Sequence, residues 1–191
     1  QADRAARQMA LDALLAYRQG GNLALGTYRD KDKPAEVGKI FESLLTRVTT
    51  LPVYLPELNR VLLDFPSHPP IAAGRIESDF YWEKVDFGLK PTLRMVHRLV
   101  FRGAEPNEPS NAVVLKQLYA SHYFQAALDL SVCVRDQDRP ERKGFYLITV
   151  KGSHQAGLTG LKGGIIRRGA VSKTRASLEK TLAAIKTSLE K

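Results

Sequence analysis

Cysteine is almost missing from this chain. Cys133 stands alone in 191 residues, so no internal disulfide can form. There is no CxxC and no Cys/His cluster, which removes the usual tetrahedral ligand set of a structural zinc site. With four histidines and no carboxylate placed beside them, no metal is expected. Long hydrophobic runs are also missing: none approaches the ~20 residues that a membrane-spanning helix needs. Neither GxxxxGK[ST] nor GxGxxG occurs, so no nucleotide cofactor is expected, nor any other. No Phe, Tyr or Trp follows Tyr146, which leaves the basic end of the chain without rings on which bases could stack. The sequence begins at Gln1 without an initiator methionine. That fits a mature chain after signal-peptide removal, and equally one trimmed at its start; export to the periplasm or beyond is the expectation, with a cytoplasmic site left open.

What is present belongs to a folded globule: 43% hydrophobic and 26% charged residues, at a length that one domain accommodates. The formal net charge is +9. Residues 1–115 hold 15 Lys and Arg against 14 Asp and Glu, whereas residues 116–191 hold 14 against 6. The excess centres on Lys162, Arg167, Arg168, Lys173 and Arg175, with no acid between them. Such a patch attracts phosphates, anionic lipid surfaces or acidic ligands, or is simply a solvated face.

Periodicity predicts the elements. Ala6, Met9, Ala10, Ala13, Leu14 and Tyr17 share a helical stripe, and Gly20–Gly21 stop it. Residues 22–29 alternate weakly, with Leu23, Leu25 and Thr27 on one side, as a short strand or extended link, and 30–33 form a turn. Pro34 opens a second helix through Val48, and Pro56 a third that Pro66 ends. His68, in a stiff Ser-His-Pro-Pro link, is expected to be exposed. From Arg75 the period becomes two, predicting strands over 75–87, 92–102, 112–120, 122–135 and 145–151. In 92–102, Leu93, Met95, His97, Leu99 and Phe101 face one way, while Arg94, Arg98 and Arg102 put the other face in water. Six glycines in residues 152–169 precede a long amphipathic helix expected from Val171 to about Glu190. The fold class is therefore α+β: a curved antiparallel sheet of five to six strands gripping a long C-terminal helix, with N-terminal helices. The chain is expected to be a single domain, residues 1–21 forming a helical extension to it.

This order resembles the START-like helix-grip superfamily: a short strand at Leu23–Thr27, helices from Pro34 and Pro56, strands from Arg75 to Lys151, then Val171–Glu190. The phrases Phe80-Tyr81-Trp82, Tyr119-Ala120-Ser121-His122-Tyr123-Phe124 and Gly163-Gly164-Ile165-Ile166-Arg167 are also similar to an uncharacterised group of bacterial proteins, which brings no activity with it. The superfamily resemblance implies an apolar cavity between sheet and final helix. Members use it to carry lipids, sterols or aromatic compounds, and some catalyse cyclisation or hydrolysis.

His97, alone among apolar neighbours, is either a ligand-binding group or general base, or a core histidine satisfied by a carbonyl or a tyrosine. Tyr119, Ser121, His122 and Tyr123 suit a cavity wall, or a tight turn that satisfies local backbone. Asp79 and Glu83 lie four apart, ~13 Å along a strand, too far for a dyad. They and Asp129 are expected on the solvated face, with Arg94 and Arg98 as partners. Cys133 and Ser131 have no diagnostic partner. The glycines Gly160, Gly163 and Gly164 serve as a hinge in preference to a phosphate site.

The leading expectation is a carrier of a hydrophobic or amphipathic small molecule, such as a lipid. Its ligand would be lined by Trp82, Met95, His97, Leu99, Phe101, Tyr119, His122 and Phe145, with an anionic headgroup met at Lys162, Arg167 and Arg168. The alternatives are an enzyme on the same scaffold, pairing His97 with Tyr119 or His122, and a binder of anionic membrane surface or nucleic acid through the basic segment. Nucleic acid is disfavoured.

Overall fold

The computed structural model describes residues 2–28, 34–67, 74–86, 91–103, 111–121, 124–135, 144–155 and 160–190. The chain divides into two compact units, residues 1–154 and 155–191. The first opens with helix α1 (Ala2–Gly20), followed by a short 3-10 turn at Gly21–Leu25. Strands β1 (Thr27–Tyr28) and β2 (Ala35–Glu36) form a separate antiparallel pair. Helices α2 (Val37–Thr46), α3 (Leu51–Tyr54) and α4 (Pro56–Asp64) follow. Five strands complete the unit: β3 (Ile76–Asp86), β4 (Pro91–Arg102), β5 (Asn111–Ala120), β6 (Phe124–Arg135) and β7 (Phe145–Gln155). They lie side by side in chain order, a meander that short links permit. The α+β class is as expected, and the sheet has five strands because residues 76–86 run unbroken. A five-stranded antiparallel sheet with a C-terminal helix is compatible with a helix-grip fold.

Several boundaries differ from expectation. Extended chain near residue 25 is confined to Thr27–Tyr28, because residues 21–25 coil into the 3-10 turn and Gly26, at φ +71°, redirects the backbone. Helix α3 was not expected: Leu51 and Leu55 are too few for a periodic signal, yet both are buried. The turn at residues 30–33, His68, His122 and Tyr123 lie outside the described residues.

The inner face of the sheet carries the core. Leu99, Phe101, Ala112, Val114, Leu128 and Leu130 pack against Leu45, Leu51, Leu55, Leu58, Val61 and Leu62 from α2, α3 and α4. A second cluster joins Tyr17 of α1 to Met95 and Leu118. So α1, read from sequence as an extension, contributes a fully buried side chain. Gly21 allows this approach: a Cβ there would lie 1.6 Å from the Phe65 carbonyl oxygen.

The outer face is ionic. Glu83 pairs with Arg94 at 2.7 Å, Asp79 with Arg98 at 2.6 Å, Glu77 with Arg102 at 2.7 Å, and Asp129 with Lys151. The arginine row thus finds the carboxylates that the strand parity assigned to it. These pairs are half-exposed, so Glu83→Gln is expected to lower stability by under about 1 kcal/mol in urea unfolding.

The second unit is helix α5 (Gly160–Leu189). It begins eleven residues before Val171, so Gly160, Gly163 and Gly164 fall inside its first turns and not ahead of it. Glycine weakens a helix by ~1 kcal/mol relative to alanine but does not forbid it, and the run from Gly160 to Leu189 contains no proline. Arg175 and Glu179 form an i,i+4 pair along it at 2.9 Å.

Candidate functional site

Antiparallel register sets the site. Phe80 lies opposite His97, His97 opposite Lys116, and Lys116 opposite Leu128, giving one rung across four strands. Both polar members of that rung are fully buried, His97 and Lys116 each at 0% exposure. Between Met95/Val96 and their partners the register slips: Met95 faces Tyr119, Val96 faces Gln117, and Leu118 is the extra residue of a β-bulge. Before the bulge, Ala112, Val114 and Lys116 point inward; after it, Tyr119 does. The bulge therefore puts Leu118 and Tyr119 on the same side as Lys116.

Buried polar groups need partners, and these find them along one line. The Lys116 Nζ donates to the Tyr17 hydroxyl at 3.2 Å and to Asn22 Oδ1. Its third direction meets the Phe41 ring, whose centroid is 4.7 Å away. Tyr17 Oη lies 2.9 Å from His97 Nδ1, and His97 Nε2 lies 2.8 Å from Ser78 Oγ. An ammonium can only donate, so the Tyr17 oxygen accepts from Lys116 and its own proton goes to Nδ1. The imidazole is then the Nε2–H tautomer, donating to Ser78 at the exposed end of the line. At the other end the Asn22 amide donates to the Leu62 and Leu63 carbonyls at 3.0 and 2.9 Å. Those carbonyls belong to the last turn of α4, which has no partners of its own for them. One chain of hydrogen bonds thus ties α1, the 3-10 turn and α4 to β3, β4 and β5.

The electrostatics follow from burial. Loss of water pushes the Lys116 ammonium down from 10.5 to about 7, and no acid lies against it among the described residues that meet it. Burial first, and then the Lys116 charge, push His97 down to about 3 against the opposing pull of Asp79. Burial also holds the Tyr17 phenol well above its ordinary range. At neutral pH the line contains a neutral imidazole, an intact phenol and an amine close to its midpoint.

One row along the sheet from this line, a cleft of about 140 Å³ opens between two layers. Ala13, Leu25 and Thr27 form one wall, from α1, the 3-10 turn and β1; Met95, Leu118 and Tyr119 form the other, from the sheet. Tyr17 packs with Met95 and Leu118, and Leu25 packs against the same cluster. The Tyr119 ring is partly exposed and stands 6.2 Å from Trp82, edge to face. Compared with models of known families, with curated proteins and with solved structures, the chain matches none.

The structure brings some of the expected ligand-binding residues together and separates others. Met95 and Tyr119 line the cleft, and Trp82 flanks it. His97, Leu99 and Phe101 share Met95's face but are closed off by packing, at 0–1% exposure. His97 pairs with Tyr17 and Ser78, not with Tyr119, and both of its ring nitrogens are engaged. Phe145 lies at the opposite end of the sheet: Ser131 meets Thr149, which carries Phe145 past the rung of Phe101, Ala112 and Val132. His122 and the side chains of Lys162 and Arg167 lie outside the described residues, and Arg168 is exposed on α5. Among the described residues no group of three or more His, Cys, Asp or Glu could hold a metal ion, and no helix is long and apolar enough to cross a membrane.

Sequence reasoning missed Lys116, Tyr17 and Asn22. For Lys116 a signal was there: it interrupts the row Ala112, Val114, Leu118 as His97 interrupts its own. Lysine on a strand is ordinarily read as facing water, which hid it.

Proposed function

We propose that the chain binds a small amphipathic molecule in the cleft between α1 and the sheet, as a carrier or binding module and not a catalyst. The observation that carries this reading is the cleft's make-up: Ala13, Leu25, Met95 and Leu118 supply apolar walls, and Thr27 and Tyr119 supply hydroxyls at the rim. Its size limits the occupant. A cavity of comparable volume accepts a single benzene ring, so the ligand is one aromatic ring or a short acyl segment and not a whole lipid. Membership of the helix-grip superfamily is the wider reading, and the element order supports it.

Octanoate tests the reading. At ~0.5 kcal/mol per heavy atom, a ligand of about ten heavy atoms binds with a Kd of about 0.2 mM. The single tryptophan, Trp82, stands beside Tyr119, so its fluorescence is expected to report the titration. Leu118→Trp fills the cleft and is expected to abolish binding followed by methyl NMR shifts of Met95. Absence of binding at about 10 mM, or binding that survives Leu118→Trp, rejects the site.

A further inference from the structure

Between residues 11 and 20, helix α1 is attached by very little. Among residues 11–20 only Tyr17 is buried and Leu14 half-buried; the others are exposed. The hydroxyl of that single anchor is shared by Lys116 and His97, and the Asn22 side chain beyond the helix end is shared by Lys116 and α4. Of the described groups meeting the Lys116 amine, Tyr17 from α1 and His97 from β4 titrate. Asn22 from the 3-10 turn, Phe41 from α2 and Leu128 from β6 do not, and none is an acid. A neutral amine has two N–H groups for the two oxygens present, those of Tyr17 and Asn22. A third proton adds a charge with only the faces of Phe41 and Tyr17 to stabilise it.

We propose that α1 and the 3-10 turn form a proton-sensitive cover over the inner face of the sheet, held closed by neutral Lys116 and opening more often, though still as a minor state, when Lys116 is protonated. The proposal rests on the cleft reading for its consequence. Ala13, Leu25 and Thr27 ride on or beside the cover while Met95, Leu118 and Tyr119 stay on the sheet, so the cleft exists only when the cover is shut. Ligand bound across the two walls and the neutral amine then favour the same state, and binding releases a proton from Lys116.

The sign follows from the two protonation equilibria. Water-exposed Lys116 in the open form holds its proton up to 10.5, and the closed form up to about 7. Between those values the open form binds more protons, so the opening constant rises as pH falls, and it levels off below about 7. From pH 8.5 to pH 7 the rise is about fifteenfold.

Hydrogen exchange of the ligand-free protein reads this directly. After correction for intrinsic rates, amides of residues 14–20 are expected to lose about fifteenfold in protection from pH 8.5 to pH 7, while β5 amides remain far better protected. In Lys116→Met the dependence is expected to disappear. A pH-independent α1 in the wild-type chain, exchange of α1 together with β5, or a dependence that persists in Lys116→Met overturns the cover. Because no ligand is used, failure here leaves octanoate binding to stand or fall separately, and failure of octanoate binding leaves the exchange profile intact.

Discussion

Tyr17→Ala is expected to lower the unfolding free energy by about 3–5 kcal/mol, and Tyr17→Phe by about 2 kcal/mol. The ring is fully buried, stacks on Phe65 at 5.1 Å and meets Phe80 and His97 edge-on at 6.1 and 5.6 Å. Truncation to alanine removes these contacts and leaves a cavity between α1 and the sheet. The phenylalanine variant keeps the ring and deletes only the hydroxyl, which orphans His97 Nδ1 and one Lys116 N–H in the interior. Urea unfolding at pH 8 separates the two terms, with the slope of the transition unchanged if both states keep their compactness. If Tyr17→Phe is as stable as the parent, the buried hydrogen-bond line is not what holds α1 down. The cover would then be secured by apolar contact alone.

The sheet was legible in the sequence for a simple reason. Where one strand face is buried and the other meets water, residue type alternates with a period of two; Met95, His97, Leu99 and Phe101 record that alternation, whereas Leu93 is exposed and Val96 is buried on the opposite face. The same logic gave the ion pairs Asp79–Arg98 and Glu83–Arg94, because carboxylates and guanidinia of matching parity on adjacent strands come within reach. The site was much less legible. The bulge at Leu118 changes which of Lys116, Leu118 and Tyr119 face inward, and a bulge depends on cross-strand register, which a single strand's pattern does not contain. Tyr17 was placed on the correct helical stripe, but nothing in α1 says that this stripe ends beneath the sheet, next to residues eighty and a hundred positions away. Asn22 is harder still: its role is to satisfy the carbonyls of α4 and the amine of Lys116 at once. That is a tertiary coincidence with no local signature. Helix α5 starts earlier than Val171 because the glycines expected to form a hinge ahead of it lie in its first turns, where glycine only weakens a helix.

The two interior bases have different consequences because their titration ranges do not overlap. Lys116 acts between 10.5 and about 7, and His97 between 6.5 and about 3. In each case the unfolded or opened chain takes up the proton before the closed protein does. Both therefore weaken the same α1 contact as pH falls, first through the amine and later through the imidazole. Their shared partner is the Tyr17 hydroxyl, so a change at that oxygen should alter both ranges together.

The acid limb follows from His97. Its folded-state value lies below its unfolded one, so the neutral form is what the fold retains. The full stability is present above 6.5 and is lost progressively as pH falls towards about 3. At ~1.4 kcal/mol per unit of pH, that gap sets a ceiling of about 5 kcal/mol, of which about 3 kcal/mol is lost by pH 4. Surface ion pairs such as Glu83–Arg94 also weaken in acid, so the comparison must be made against a variant. His97→Gln keeps a donor and an acceptor for Ser78 and Tyr17 and cannot titrate. Its urea-unfolding profile is expected to start below the wild type at pH 7 and to close on it by about 3 kcal/mol by pH 4. In parallel, the His97 Hε1 resonance is expected to keep its neutral-imidazole shift down to pH 4. Parallel stability profiles, or a His97 resonance that titrates near 6.5, would mean that water reaches the ring and that the line from Ser78 to Asn22 is open in solution.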